Sequence, residues 1–368
     1  MESAIMSNAP IFDFKSQFET LLQTGAKDLL RDFRFVTIAS NKKPWFDTGI
    51  ILVAGDCLTS FATGQTQFID LPICLEPNFQ LWFRIGVDGE IFRGTRDSHS
   101  FTAEYSGRLY MASYFPAEWA NKTGDVITPD AVYDRVTGDF TVLLIRWQTN
   151  ALDSLQQLQK HGEVAGLIGS EIDRLQFPVL PPKDWSYLWL TGPAEVYQAC
   201  QTPEQHTAVC CHTHNNGGIL QKSVLLPLIP NTRLRWAWKM DELPSAVRED
   251  TLPTHDYLSI AVEFDNGQDI TYYWSAELEP ETMYRCPIPT WHDRETHVVI
   301  RSGSHGLGEW FTEERDIYAD YTTAIGGVLP KQIVKVWFIA VSLFQHQQGR
   351  CQYANISFLS ENQIIPVQ

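Results

Sequence analysis

The sequence predicts a mainly β protein: two jelly-roll-like β-sandwich domains with an N-terminal helix and a helical, Pro-rich interdomain connector. Three observations lead there. Short runs of aromatic and β-branched residues recur along most of the chain, each bounded by Gly, Pro, Asn or Asp, as strands and their turns require. Apolar residues take helical spacing clearly in only two places, before residue 33 and just after Asn150. A chain of 368 residues, 44% hydrophobic and 12% aromatic, is long enough for two domains that each bury a core of their own.

Taken in order, Phe14, Phe18, Leu21, Leu22, Leu29, Leu30 and Phe33 line one stripe and predict a helix from Phe14 to Phe33. The runs FRFVTIAS, GIILVAGD, FQLWFRIG, RLYMASYF and FTVLLIRW then read as strands of a first sandwich over residues 33–148. Asn150 is a suitable N-cap for a second helical stripe, which carries Leu152, Leu155 and Leu158, then Leu167, Ile168 and Ile172. The stretch FPVLPPKDW stops that stripe, so residues 149–184 read as the connector. From Trp185 onward LRWAWKM, YLSIAVEF, DITYYWS, THVVIRSG, KVWFIAVSLF and QYANISF predict a second sandwich. WFTEERDIYADYTTAIG is the one segment there that reads as a helix or an irregular connection.

Charge and composition exclude several function classes. Lys and Arg total 28 against 44 Asp and Glu, a net charge of −16, and such a surface repels phosphate backbones and anionic headgroups. No apolar run approaches the ~20 residues that span a bilayer. The segment MESAIMSNAPIFDF lacks the basic-then-apolar order of a secretory signal. Seven scattered cysteines fit reduced thiols better than a disulfide framework. The expectation is a soluble cytoplasmic protein with neither nucleic acid nor membrane as partner.

The runs DTGIILVAGDCLTSFATG, LWFRIGVDGEIFRG and SGRLYMASYFPAEWANKTGDV resemble the calcium-dependent galactophilic lectin PA-I type, a small jelly-roll sandwich. In that family the loop after the SG-x-L strand supplies calcium ligands, and the calcium holds sugar hydroxyls. The resemblance offers Glu118 and Asn121 as oxygen ligands. It departs from the family at Lys122, where an Asn is expected, and at Tyr114, where an Asp is expected. Calcium takes six to eight oxygens, and an ammonium among them opposes the cation. The fold is therefore expected to carry over, without tight calcium binding. In the second half, HTHNNGGILQKSV, LRWAWKMDELPS, HDYLSIAVEFDNGQD, ETHVVIRSG and LGEWFTEERDIYADY resemble an uncharacterised bacterial family whose strand pattern looks like a carbohydrate-binding-module jelly roll.

Side chains alternate across a strand, so the face of each polar residue in the second sandwich comes from parity. His255, Tyr257, Ser259 and Glu263 share one face, with Leu258, Ile260, Val262 and Phe264 opposite. Glu295, His297 and Arg301 fall together, as do Asp269, Thr271 and Tyr273, while Arg235 and Lys239 separate from Trp236 and Trp238. A face rich in His, Tyr, Glu and Arg has the composition of a recognition or catalytic surface. Cross-strand ion pairs such as Glu263 with Arg301 on a solvated face are the plainer explanation.

Two functions are compatible with these residues. The first is binding of a carbohydrate or other polyhydroxylated small molecule on a concave face, with Arg235, Lys239, Asp269, Tyr273 and Glu295 among its contacts. The second is an acid–base lyase, hydrolase or cyclase without an organic cofactor, in which His255, Tyr257, Glu263, His297 and Arg301 carry the chemistry. Cys210, His212 and His214 share a strand face and are candidates for zinc, with His206 nearby. DNGQD reads as a hairpin turn in preference to a calcium loop.

Overall fold

The computed structural model describes residues 11–368 apart from positions 27, 116, 205, 206 and 362. His206 and most of the N-terminal MESAIMSNAPIFDF segment therefore lie outside the described residues. The chain divides into two compact units, one ending at Pro178 and the other beginning at Val179. The fold class is the expected one, mostly antiparallel β-sheet arranged as sandwiches. Among the described residues no helix is long and apolar enough to cross a membrane.

The first unit stacks a five-stranded sheet on a four-stranded one. Val36, Ile38, Leu58, Ala62, Val142 and Leu144 from the larger sheet meet Leu52, Phe83, Ile85, Leu109 and Met111 from the smaller. The other face of the five-stranded sheet presents Phe61, Leu143, Ile145 and Trp147 to three helices, Ile11–Gly25, Ala151–Gln159 and Leu167–Gln176. Asn150 caps the second of these as expected, accepting from the Asp153 N–H at 2.8 Å. The first helix stops at Gly25, well short of Phe33, because residues from Leu30 onward pair with the strand Val136–Trp147. Tertiary pairing has overridden a helical stripe. The strand Cys57–Phe68, central to this sheet, escaped the sequence reading because CLTSFATGQTQF has too few apolar residues to stand out.

One ionic contact pins the third helix to the sheet. Fully buried Glu171 accepts from Ser98 Oγ (2.8 Å), the Ser100 N–H (2.6 Å) and both arms of Arg174 (2.6 and 3.0 Å). Burial opposes ionisation of this carboxyl, but Arg174 and the two serines outweigh it and hold its pKa below the ordinary value.

The second unit packs a seven-stranded sheet on a six-stranded one. Their shared core holds Leu258, Ile260, Val262, Ile270, Tyr272, Trp274 and Val298 from the first, and Leu234, Trp236, Trp238, Met240, Tyr353 and Phe358 from the second. DNGQD forms the hairpin between Tyr257–Phe264 and Asp269–Ser275, with Gly267 at φ +79° where a side chain would be strained. WFTEERDIYADYTTAIG divides into a strand, Phe311–Asp316, and a helix, Ile317–Ala324, capped by the Asp316 side chain. The outer faces of the two sheets differ sharply. That of the seven-stranded sheet is buried around Tyr257, Thr271 and His297, whereas that of the six-stranded sheet exposes Arg233, Arg235, His212 and His214.

Replacing Glu171 with Ala leaves the half-buried Arg174 guanidinium, Ser98 and the Ser100 N–H without their partner and should cost about 3 kcal/mol of unfolding free energy in a urea titration. Because the Glu171 pKa is lowered on folding, its contribution is complete at neutral pH and fades as pH falls through the folded value. An Ala variant as stable as the parent at neutral pH would contradict the pin.

Candidate functional site

The polar residues that parity assigns to one face of the seven-stranded sheet converge around His297. The three-residue strand Met283–Arg285 pairs with Glu295–Ser302 so that Tyr284 lies directly opposite His297. Their rings stack at 5.0 Å and 9°, while Tyr257, His255 and Tyr273 approach His297 edge-on at 4.9, 4.8 and 5.6 Å. His255 arrives from a 3-10 turn, Leu252–Thr254, and its Nδ1 lies 2.7 Å from the Glu249 carbonyl oxygen. That contact makes Nδ1 the donor and turns the Nε2 lone pair inward, 3.4 Å from Cys286 Sγ. Glu295 Oε1 accepts from Tyr257 at 3.0 Å and from Thr271 at 3.2 Å, and lies 3.4 Å from His297 Nε2.

The site is closed to water. His255, Cys286 and His297 are completely buried, and Glu295 is 3% exposed. Burial, with His297 next in weight, draws the His255 pKa down to about 3. Burial and then Glu295 push the Cys286 thiol and Asp269 well up. Burial pushes the Glu295 carboxyl up as well, but there the facing His297 outweighs it and holds the carboxyl below its ordinary value. His255 Nε2, Cys286 Sγ, a Glu295 oxygen and a His297 nitrogen all lie within 4.8 Å of one another. Among the described residues neither ring nitrogen of His297 has a hydrogen-bond partner.

Several expected members stand elsewhere. The strand Glu295–Ser302 bulges between Val299 and Arg301, which pair with Tyr273 and Trp274 in turn. One extra residue flips the alternation, so Arg301 leaves the polar face. Its guanidinium covers Phe311 at 3.6 Å, and its Nε donates to Glu313 at 2.5 Å. Glu263 stays on the polar face but at its far end, paired with Lys335 at 2.8 Å instead of with Arg301. Arg235 and Lys239 belong to the outer face of the six-stranded sheet, where Lys239 meets Asp241 at 3.4 Å. Asp269 and Tyr273 do adjoin the cluster: Thr271 donates to Asp269 at 3.2 Å, and the Tyr273 and Tyr284 hydroxyls lie 2.9 Å apart. Cys286 was missed, since it sits in no periodic run and only the pairing of Tyr284 with His297 brings it in.

The metal candidates read from the sequence are corrected. Cys210 forms a disulfide with Cys200, which also overturns the expectation of uniformly reduced thiols. His212 and His214 share an exposed face as parity requires, but among the described residues no group of three ligands includes them. In the lectin-like loop, the Glu118 carboxylate accepts from Thr128 Oγ1, and Asn121 Oδ1 accepts from Thr123 and the Asp125 N–H. Both oxygens thus serve the loop itself.

Residues 183–357 match a family described as a protein of unknown function (DUF3047). No curated protein matches the chain. Among solved structures, the EclA N-terminal domain, a PllA-like lectin, is similar at 16% identity over 33% of this chain and 99% of its own (TM-score 0.25). The xyloglucanase domain of NopAA from Sinorhizobium fredii shows 11% identity over 50% and 96% (TM-score 0.32). A family 30 carbohydrate-binding module from Clostridium thermocellum shows 10% identity over 49% and 88% (TM-score 0.27).

Alkylation of the unfolded, unreduced chain should label five cysteines, Cys57, Cys74, Cys211, Cys286 and Cys351, and all seven after reduction. Peptide mass spectrometry that finds Cys200 or Cys210 alkylated before reduction would contradict the disulfide.

Proposed function

We propose that the second sandwich binds a carbohydrate or another polyhydroxylated small molecule on the exposed outer face of its six-stranded sheet. The observation that supports this most is the side-by-side array of donors across three strands. Strand register sets His212 beside Arg350, His214 beside Gln348, and Gln352 beside Lys239. Asp241 and Glu242 add acceptors, so neighbouring donors and acceptors match the alternating hydroxyls of a polyol. Beside them Ala208, Ala237 and Ala354 form a small apolar floor against which Trp310 packs.

This reading moves the binding face from the His255–Tyr257–His297 set to the opposite sheet, because that set is sealed. Burial also weighs against acid–base turnover there: a His255 held at about 3 does not exchange protons near neutral pH. The Cys200–Cys210 disulfide favours an oxidising compartment over the cytoplasm.

A glycan array followed by calorimetry tests the binding face. Arg235→Ala and Lys239→Ala should each weaken binding of any glycan hit roughly tenfold, the worth of a hydrogen bond to a charged group, with the melting temperature unchanged. Absence of any glycan hit, or affinity unaltered in both variants, would contradict the proposal.

A further inference from the structure

The buried cluster on the other sheet has its own chemistry. It holds two imidazoles, a thiol and a carboxyl, from three separate stretches of chain. His255 precedes the strand Tyr257–Phe264, Cys286 comes just after the covering strand Met283–Arg285, and Glu295 with His297 lie on the strand Glu295–Ser302. Nothing in the function proposed above uses them.

Three independent features point to one ligand. The first is distance. Four ligands bound tetrahedrally at about 2.0–2.3 Å stand roughly 3.3–3.8 Å apart. His255 Nε2 to Cys286 Sγ and His297 Nε2 to Glu295 Oε1 are both 3.4 Å, and all four donors lie within 4.8 Å. The second is the state of the imidazoles. His255 is fixed by the Glu249 carbonyl with Nε2 aimed inward, the outer-shell contact usual for a ligating histidine. His297 is wholly buried with neither nitrogen in a hydrogen bond, although Nε2 lies 3.4 Å from Glu295 Oε1, an expense that a metal bond removes. The third is charge. A divalent ion with one thiolate, one carboxylate and two neutral imidazoles sums to zero, as a site without water requires.

We infer that His255, Cys286, Glu295 and His297 form a metal site for a single zinc-class divalent ion. A donor set of two nitrogens, one sulfur and one oxygen suits zinc, and offers too few oxygens for calcium or magnesium. Binding displaces the Cys286 thiol proton to solvent, and no other bond is made or broken in the chain. With four protein ligands the site is closed, so the ion's role is structural: it staples the cover that carries Tyr284 and Cys286 onto the sheet. Tyr257 and Thr271, which already donate to Glu295, orient the carboxylate.

Cobalt(II) is the probe, because its bond to a thiolate gives a charge-transfer absorption that exposed histidines do not. Metal-stripped full-length protein, with His212→Ala and His214→Ala to remove surface imidazoles, is titrated with cobalt and then with zinc. The expected result is one cobalt per chain, a thiolate charge-transfer band that zinc abolishes, and a melting temperature raised by either ion. Cys286→Ser should lose the band, and His297→Gln should weaken binding by at least roughly 10–100-fold. No thiolate band in this folded parent would overturn the site whatever the variants do. So would a band that survives Cys286→Ser, or metal bound without any rise in melting temperature.

Discussion

Burial of both faces of one sheet is the constraint on which the second half of this protein depends. The inner face of the seven-stranded sheet is apolar and needs only close packing. Its outer face carries Tyr257, Asp269, Thr271, Tyr273, Glu295 and His297, and all are buried, with Tyr284 stacked on His297 and Arg294 beside Asp269. Polar groups so placed must find partners within the protein. Most do. Tyr257 and Thr271 serve Glu295, the Tyr273 and Tyr284 hydroxyls meet, and buried Glu249 accepts from Ser275 Oγ and the Ala276 N–H at 2.5 and 2.6 Å. Among the described residues Asp269 Oδ2 and the two nitrogens of His297 are left without a hydrogen bond, and the metal site accounts for the histidine.

The first sandwich meets similar demands with internal partners. Glu171 is as deeply buried as His297, yet two serines and an arginine use all of its lone pairs in reach. Glu118, where the lectin resemblance places a calcium ligand, is likewise turned inward to Thr128, and burial raises its pKa.

Much of this was legible in the sequence. Alternation in HDYLSIAVEF and DITYYWS correctly sorted core from polar face, because both strands are regular and centrally placed. It failed at Arg301, where a bulge adds one residue and reverses the parity of the rest of the strand. Exposure was the harder property: a face of His, Tyr and Glu looks the same in sequence whether water or another strand covers it. Cys286 could be found only through the pairing of Tyr284 with His297, a contact between chain segments that no local pattern encodes. The strand Cys57–Phe68 was lost for the opposite reason, since its Thr, Ser and Gln gave no periodic signal despite its place at the centre of a sheet.

The central claim is that four buried side chains enclose one ion, and diffraction at the zinc absorption edge tests it most directly. Crystals of the zinc-loaded protein should show a single strong anomalous peak bonded to His255 Nε2, Cys286 Sγ, Glu295 and His297, at about 2.0–2.3 Å. An anomalous map with no peak among them, with Cys286 and His255 still hydrogen-bonded as neutral neighbours, would contradict the account.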